Sequence, residues 1–167
     1  MAYTQNTGVP QKTRVFLKVW EWDEEDDRTH YHARAGRLEI EGWAYYMDRD
    51  DVKELVRRIL KAEKPLPDNV ARAVDAVVNY LATGAVQLGL TTVAASAGYD
   101  YNEREGLTFT VEMFYNDNGG WTVEVRAVAT LHNGRHIVSK RATLKSVTAE
   151  ALGKVVAKVV RRAYNAR

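Results

Sequence analysis

From Thr13 onward the chain alternates apolar and polar positions with a period of two, the pattern of a strand with one buried face. Val15, Leu17 and Val19 alternate with Phe16, Lys18, Trp20 and Trp22, so one side of this strand is aliphatic and the other aromatic and basic. An acidic turn at Asp23 to Asp27, a second strand over Thr29 to Arg34, a tight turn at Ala35-Gly36 and a third strand over Arg37 to Met47 complete a three-stranded meander. Pairing Arg34 with Arg37 and Trp22 with Arg28 gathers Val15, Leu17, Val19, Tyr31, Ala33, Leu38, Ile40, Ala44 and Tyr46 on one face. A slip of a single residue would turn that set outward.

The period then becomes helical. Val52, Leu55, Val56, Ile59 and Leu60 form one stripe behind a capping Asp48, and Pro65-Leu66-Pro67 ends that helix. A second helix runs from about Asp68 to Thr83 or a little beyond, on Val70, Val74, Val77, Val78 and Leu81. Residues 90–101 are small and β-branched and predict a strand. Three further strands, Leu107 to Tyr115, Trp121 to Leu131 and Arg135 to Lys145, are joined by the Asn116 to Gly120 loop and by an Asn133-Gly134 hairpin turn. With Tyr115 opposite Trp121 and His132 opposite Arg135, the apolar face collects Leu107, Phe109, Val111, Met113, Val123, Val125, Ala127, Leu131, Val138 and Leu144, and Arg126 stands opposite Arg141. A last helix from about Thr148 carries Leu152, Val155, Val156, Val159, Val160, Ala163 and Tyr164 on one side. The expected fold is α+β, two antiparallel β-meanders with helices packed on their apolar faces, in the order βββ-αα-ββββ-α. Residues 1–12 read as a flexible N-terminal arm and 13–167 as one domain with pseudo-halves 13–88 and 90–167.

Composition narrows the chemistry. The absence of cysteine excludes disulfides, thiolate catalysis and cysteine-ligated metal. No long apolar run and no signal-like N-terminus is present, which points to a soluble, cytoplasmic protein with no membrane partner. The lack of cysteine and the Val, Glu, Arg and Tyr content also resemble thermophile composition. The formal net charge of +2 conceals an asymmetry, with −4 over residues 1–105 and +6 over residues 106–167, compatible with a polyanionic partner.

The face of the first meander turned away from its core holds Phe16, Lys18, Trp20, Trp22, Arg28, His30, His32, Arg34, Trp43 and Tyr45. Indoles interleaved with guanidinium and imidazole groups suit single-stranded DNA or RNA, because bases stack on aromatic planes while cations track phosphates. On the second meander, Arg126 opposite Arg141 would repel unless an anion or one of Glu112 and Glu124 relieved them, so these two arginines join the candidate binding set. A rival reading buries the aromatic face, within the fold or as the subunit contact of a small homodimeric structural or adaptor protein. A third makes His30, His32 and the facing Glu39 and Glu41 a metal-dependent enzyme site, although a cross-strand His–Glu pair explains them more simply. No nucleophile elbow, phosphate loop or H-E-x-x-H motif occurs. The expectation is therefore a non-enzymatic single-strand binder without cofactor or metal. The two-half order of strands then helix is similar to that of the PUR and Whirly single-strand binders, a resemblance of topology alone that covers most of the chain after Thr13 and implies the same kind of ligand.

Overall fold

Ten elements are described in the computed structural model, which covers residues 14–20 and 27–167. In chain order they are β1 (Val15–Val19), β2 (Arg28–Ala35), β3 (Leu38–Tyr45), α1 (Arg49–Lys61), α2 (Asp68–Val86), β4 (Thr92–Asp100), β5 (Gly106–Tyr115), β6 (Trp121–Leu131), β7 (Gly134–Leu144) and α3 (Ala149–Tyr164). The order is the α+β arrangement expected from the periodicities. Trp22, the acidic run 23–26 and the expected arm at 1–12 lie outside the described residues.

The two meanders join edge to edge. β3 pairs with β7, giving one antiparallel sheet of seven strands in the order β1-β2-β3-β7-β6-β5-β4. All three helices contribute to a core on one face of this sheet, whose buried members include Tyr31, Ile40, Leu55, Ile59, Leu81, Phe109, Met113, Leu152 and Val156. α1 starts at the expected Asp48, whose carboxylate accepts the Asp51 N–H at 2.8 Å while Asp51 reaches back to the Asp48 N–H, a reciprocal cap. Its buried Val52, Leu55, Val56 and Ile59 are each worth roughly 1.5–3 kcal/mol of transfer from water. α3 is capped by Thr148, which accepts the Ala151 N–H. At its far end the buried Asn165 bridges α3 to the α1–α2 connection. The Asn165 side chain accepts the Lys64 N–H at 2.8 Å and donates to the carbonyls of Lys64 and Arg161. Asn165→Ala leaves the part-buried Lys64 N–H without its acceptor, while the Lys64 and Arg161 carbonyls keep the Arg161 guanidinium and the residue-165 N–H, and is expected to cost about 2 kcal/mol, read as a shift in the urea midpoint.

Two registers are as read from the pattern, Val19 opposite Tyr31 and Tyr115 opposite Trp121. Two others differ by two residues. The β2–β3 turn is Gly36-Arg37, with Ala35 opposite Leu38, because Gly36 supplies the positive φ (62°) at the first turn position. His32 therefore faces Glu41, and His30 faces Trp43. The β6–β7 turn is His132-Asn133, with Leu131 opposite Gly134, so Asn133-Gly134 is not the turn dipeptide. Gly134 is needed one position later, where β7 passes so close to β3 that a Cβ would lie 2.0 Å from the Trp43 carbonyl oxygen. A shift of two leaves every side chain on its face, which is why the core was legible despite wrong partners. It removes the expected opposition of Arg126 and Arg141: Arg126 faces Ser139, and Arg141 faces Glu124 and is ion-paired to it. Two expected core members lie outside the core. Tyr46 takes a left-handed backbone (φ 57°) as the chain leaves β3 and turns outward, and Val15 sits exposed on the edge strand, to which α1 contributes little cover.

Candidate functional site

Because β3 and β7 are neighbours, the two outward faces read separately from the sequence are one surface. Every described candidate, Phe16, Lys18, Trp20, Arg28, His30, Arg34, Trp43, Tyr45, Arg126 and Arg141, lies on the sheet face opposite the helices. The three described helices pack against the opposite, core face of the sheet. Trp20 is 42% exposed and Phe16 52%, whereas Trp43 is half-buried. The fourth tryptophan, Trp121, belongs to the core, edge-on to Tyr115.

The side chains form cross-strand rows. One runs Trp20, His30, Trp43, Arg135 and Thr130, with the Trp20 N–H donating to the His30 carbonyl at 2.9 Å. Arg28 faces Tyr45 instead of sharing a row with Trp43, a consequence of the shifted turn. Its guanidinium nonetheless reaches the Trp43 indole diagonally, 5.2 Å from the ring centroid, and Arg135 lies 5.6 Å from the same ring. Lys18 sits over Trp20 at 5.1 Å and Arg34 over Phe16 at 5.9 Å. Such contacts hold a cation beside a ring without neutralising it. Trp43 is thus an anchor that holds Arg28 and Arg135, while Trp20 and Phe16 offer more open aromatic surface. Beneath the rings, an open depression of about 440 Å³ is lined by Trp20, His30, His32, Glu41, Trp43 and Ile137.

Next to it, over β7, β6 and β5, lies a larger open trough of about 610 Å³. Arg126, Arg135 and Arg141 line it together with Glu39, Glu124 and a border of threonines and Ser139. Arg141 is engaged by Glu124. Arg126 and Arg135 make no ion pair with any described carboxylate. Arg135 was not singled out in the sequence. Its importance comes from standing opposite Trp43, a pairing between residues 92 apart for which no local signal exists. The histidines do not form a metal centre with the glutamates: among the described residues no three His, Asp or Glu side chains come together in a group able to hold an ion. The His32 ring instead approaches the Glu39 carboxylate diagonally at 3.6 Å, and Phe16 packs on the same imidazole.

Behind the sheet, a buried polar chain crosses the core next to the β3–β7 seam. Asn133 donates its amide to the Ala166 carbonyl, so its oxygen is left to accept from His136 Nε2 at 2.9 Å. His136 Nδ1 then accepts the Tyr31 hydroxyl proton at 2.7 Å. Burial, reinforced by the charge of Arg58, holds the His136 pKa down at about 4, and burial raises that of Tyr31. This chain is closed to the outer face and satisfied within the fold, which assigns it to structure. Among the described residues no helix is long and apolar enough to cross a membrane. No protein-family model, curated protein or solved structure matches this chain, and its functional reading rests on the chemistry of the open sheet face.

Proposed function

We propose that the open sheet face binds single-stranded DNA or RNA without catalysis, bases lying against Trp20 and Phe16 and phosphates passing over Arg135 and Arg126 into the trough. The observation that carries this reading is the continuity of the face: exposed rings, each with a cation beside it, run without interruption into a basin where two arginines lack a described carboxylate partner. Stacking accepts any base, and unneutralised guanidinium groups accept any phosphate, so the surface favours the class of ligand over a particular sequence. Glu39, Glu41, Glu112 and Glu124 on the same face oppose duplex-like charge density, while a flexible single strand can route its phosphates around them.

The test is intrinsic tryptophan fluorescence during titration with oligo-dT and oligo-U at low and high salt. Quenching that weakens with salt is the expected result. Trp20→Ala is expected to weaken binding by about 5- to 150-fold, the equivalent of one stacked base at about 1–3 kcal/mol. Arg126→Ala is expected to lower the salt dependence by about one counterion while leaving the quenching amplitude intact. Absence of both quenching and anisotropy change at low salt would remove this reading.

A further inference from the structure

Among the described residues the sheet ends in β1 on one side and β4 on the other, and these two edges differ in chemistry. β1 carries Lys18 and is preceded by Arg14. β4, at the other end, is Thr92-Val93-Ala94-Ala95-Ser96-Ala97-Gly98-Tyr99-Asp100, nine residues with no proline, no lysine or arginine, and a single charge at its last position. Proteins ordinarily protect an edge of this length with charge, proline or a bulge, since its unpaired peptide groups invite another strand. The inner hydrogen bonds of β4 define which groups those are. The Tyr115 N–H donates to Thr91 and the Tyr101 N–H to Glu105, so the odd-numbered residues bond to β5. Thr92, Ala94, Ser96, Gly98 and Asp100 therefore direct their N–H and C=O groups away from the sheet.

Three of the large apolar side chains left exposed, Tyr80 at 64%, Leu88 at 68% and Leu90 at 44%, lie on α2, which packs on this strand, and on the connection from α2 to β4. On α2 and at its C-cap, Ala76, Asn79, Thr83 and Gln87 are also exposed and uncharged, with the exposed charges Arg72 and Asp75 toward the start of the helix. α2 packs directly on β4, so helix and edge form one border of the molecule.

We propose that β4 pairs antiparallel with β4 of a second copy of this chain, about a two-fold axis at Ser96, and that Tyr80, Leu88 and Leu90 are covered in the same contact. The strand is complementary to itself in this register. Thr92 meets Asp100 of the partner copy, Ala94 meets Gly98 and Ser96 meets itself, so no like charges face one another and all the outward peptide groups are paired. On the helix side, Val93 meets Tyr99 and Ala95 meets Ala97, side chains that are apolar or small enough to close beside α2. A two-fold normal to the sheet keeps both open faces on the same side. The aromatic face stays free, and the seven-stranded surface is doubled across the contact. A homodimer built on the aromatic face is a different assembly, which would occlude Trp20.

The experiment is light scattering and sedimentation of the full chain at micromolar concentration, beside cross-linking at single introduced thiols. The chain has no cysteine, so Ser96→Cys places the only thiols of the dimer on either side of the proposed axis. Twice the 18.9 kDa monomer mass is expected, with efficient cross-linking of Ser96→Cys by a short bifunctional maleimide and none of Phe16→Cys on the opposite edge. Ser96→Lys places like charges at the axis and is expected to raise the dissociation constant at least tenfold with an unchanged circular dichroism spectrum. Tyr80→Glu, which leaves the strand itself unaltered, is expected to weaken the dimer in the same direction. A monomer at these concentrations overturns the proposal, as does a dimer that ignores Ser96→Lys and Tyr80→Glu. Loss of the dimer on Trp20→Ala alone overturns it in favour of the aromatic face. Oligonucleotide binding is measured separately, so neither outcome decides the reading of the open face.

Discussion

Gly134→Ala is expected to cost about 3 kcal/mol or more and to separate the two meanders, seen as a large fall in the urea midpoint with loss of cooperativity. Two reasons act together. Gly134 has φ 132°, where a side chain is strained, and the added Cβ would stand 2.0 Å from the Trp43 carbonyl oxygen and 2.9 Å from the Ala44 Cα. The obstacle is backbone on both sides of a central strand pair, so no side-chain rotation relieves it. Gly42 makes the reciprocal approach, its absent Cβ 2.0 Å from the Arg135 carbonyl oxygen, and Gly42→Ala is expected to have a similar effect. Gly36→Ala, in the β2–β3 turn with open space around it, is the control, expected to cost only about 1 kcal/mol for its left-handed backbone. If Gly134→Ala melts like the parent protein, β3 and β7 do not approach as described.

Acidification is expected to destabilise the fold well above the range in which ordinary carboxylates titrate. The ordinary histidine pKa is 6.5, and burial of His136 lowers it to about 4. As pH falls below 6.5, the unfolded chain takes up a proton that the folded chain refuses, because burial of the ring, and then the nearby charge of Arg58, disfavour the imidazolium. Stability therefore declines between about pH 6.5 and 4, by about 3 kcal/mol in total from this one group, and the group adds no further loss below that range. The measurement is the urea midpoint at several values across the window, in parent protein and in His136→Gln, which carries no titratable ring. The variant is expected to start less stable and to show a slope reduced by one proton; an unchanged slope would contradict the buried neutral imidazole. Glu105 adds its own loss only at lower pH. The His132 N–H, the Asn102 amide and then the His132 ring hold its pKa near 2, so its contribution is present above 4.5 and disappears as pH falls through that lower range.

The candidate site was legible in the sequence to the extent that it depends on alternation. Phe16, Lys18, Trp20, Arg28, His30, Arg34, Trp43 and Tyr45 were assigned to one face because odd and even positions separate on any strand, whatever its partner. Which of them touch was less accessible. A glycine near a turn can occupy more than one turn position, and placing Gly36 second instead of first moved His30 away from Trp43 and set Arg28 beside it. The same ambiguity at Gly134 produced an Arg126–Arg141 opposition that the fold replaces with the Arg141–Glu124 pair.

Local pattern alone thus determined the elements, their order, the cap at Asp48, the start of the last helix near Thr148 and the residues that face inward, since these follow from periodicity and short-range hydrogen bonding within a few residues. The tertiary structure decided that β3 lies against β7. Strand pairing at a separation of about 90 residues leaves no periodic trace. It depends on which edges remain free once each meander has formed, and on the two glycines that let the backbones close at the seam. That one pairing merged two modest outward faces into a single surface, brought Arg135 to Trp43, and left β4, whose one charged residue is its last, as the edge at the far end of the sheet.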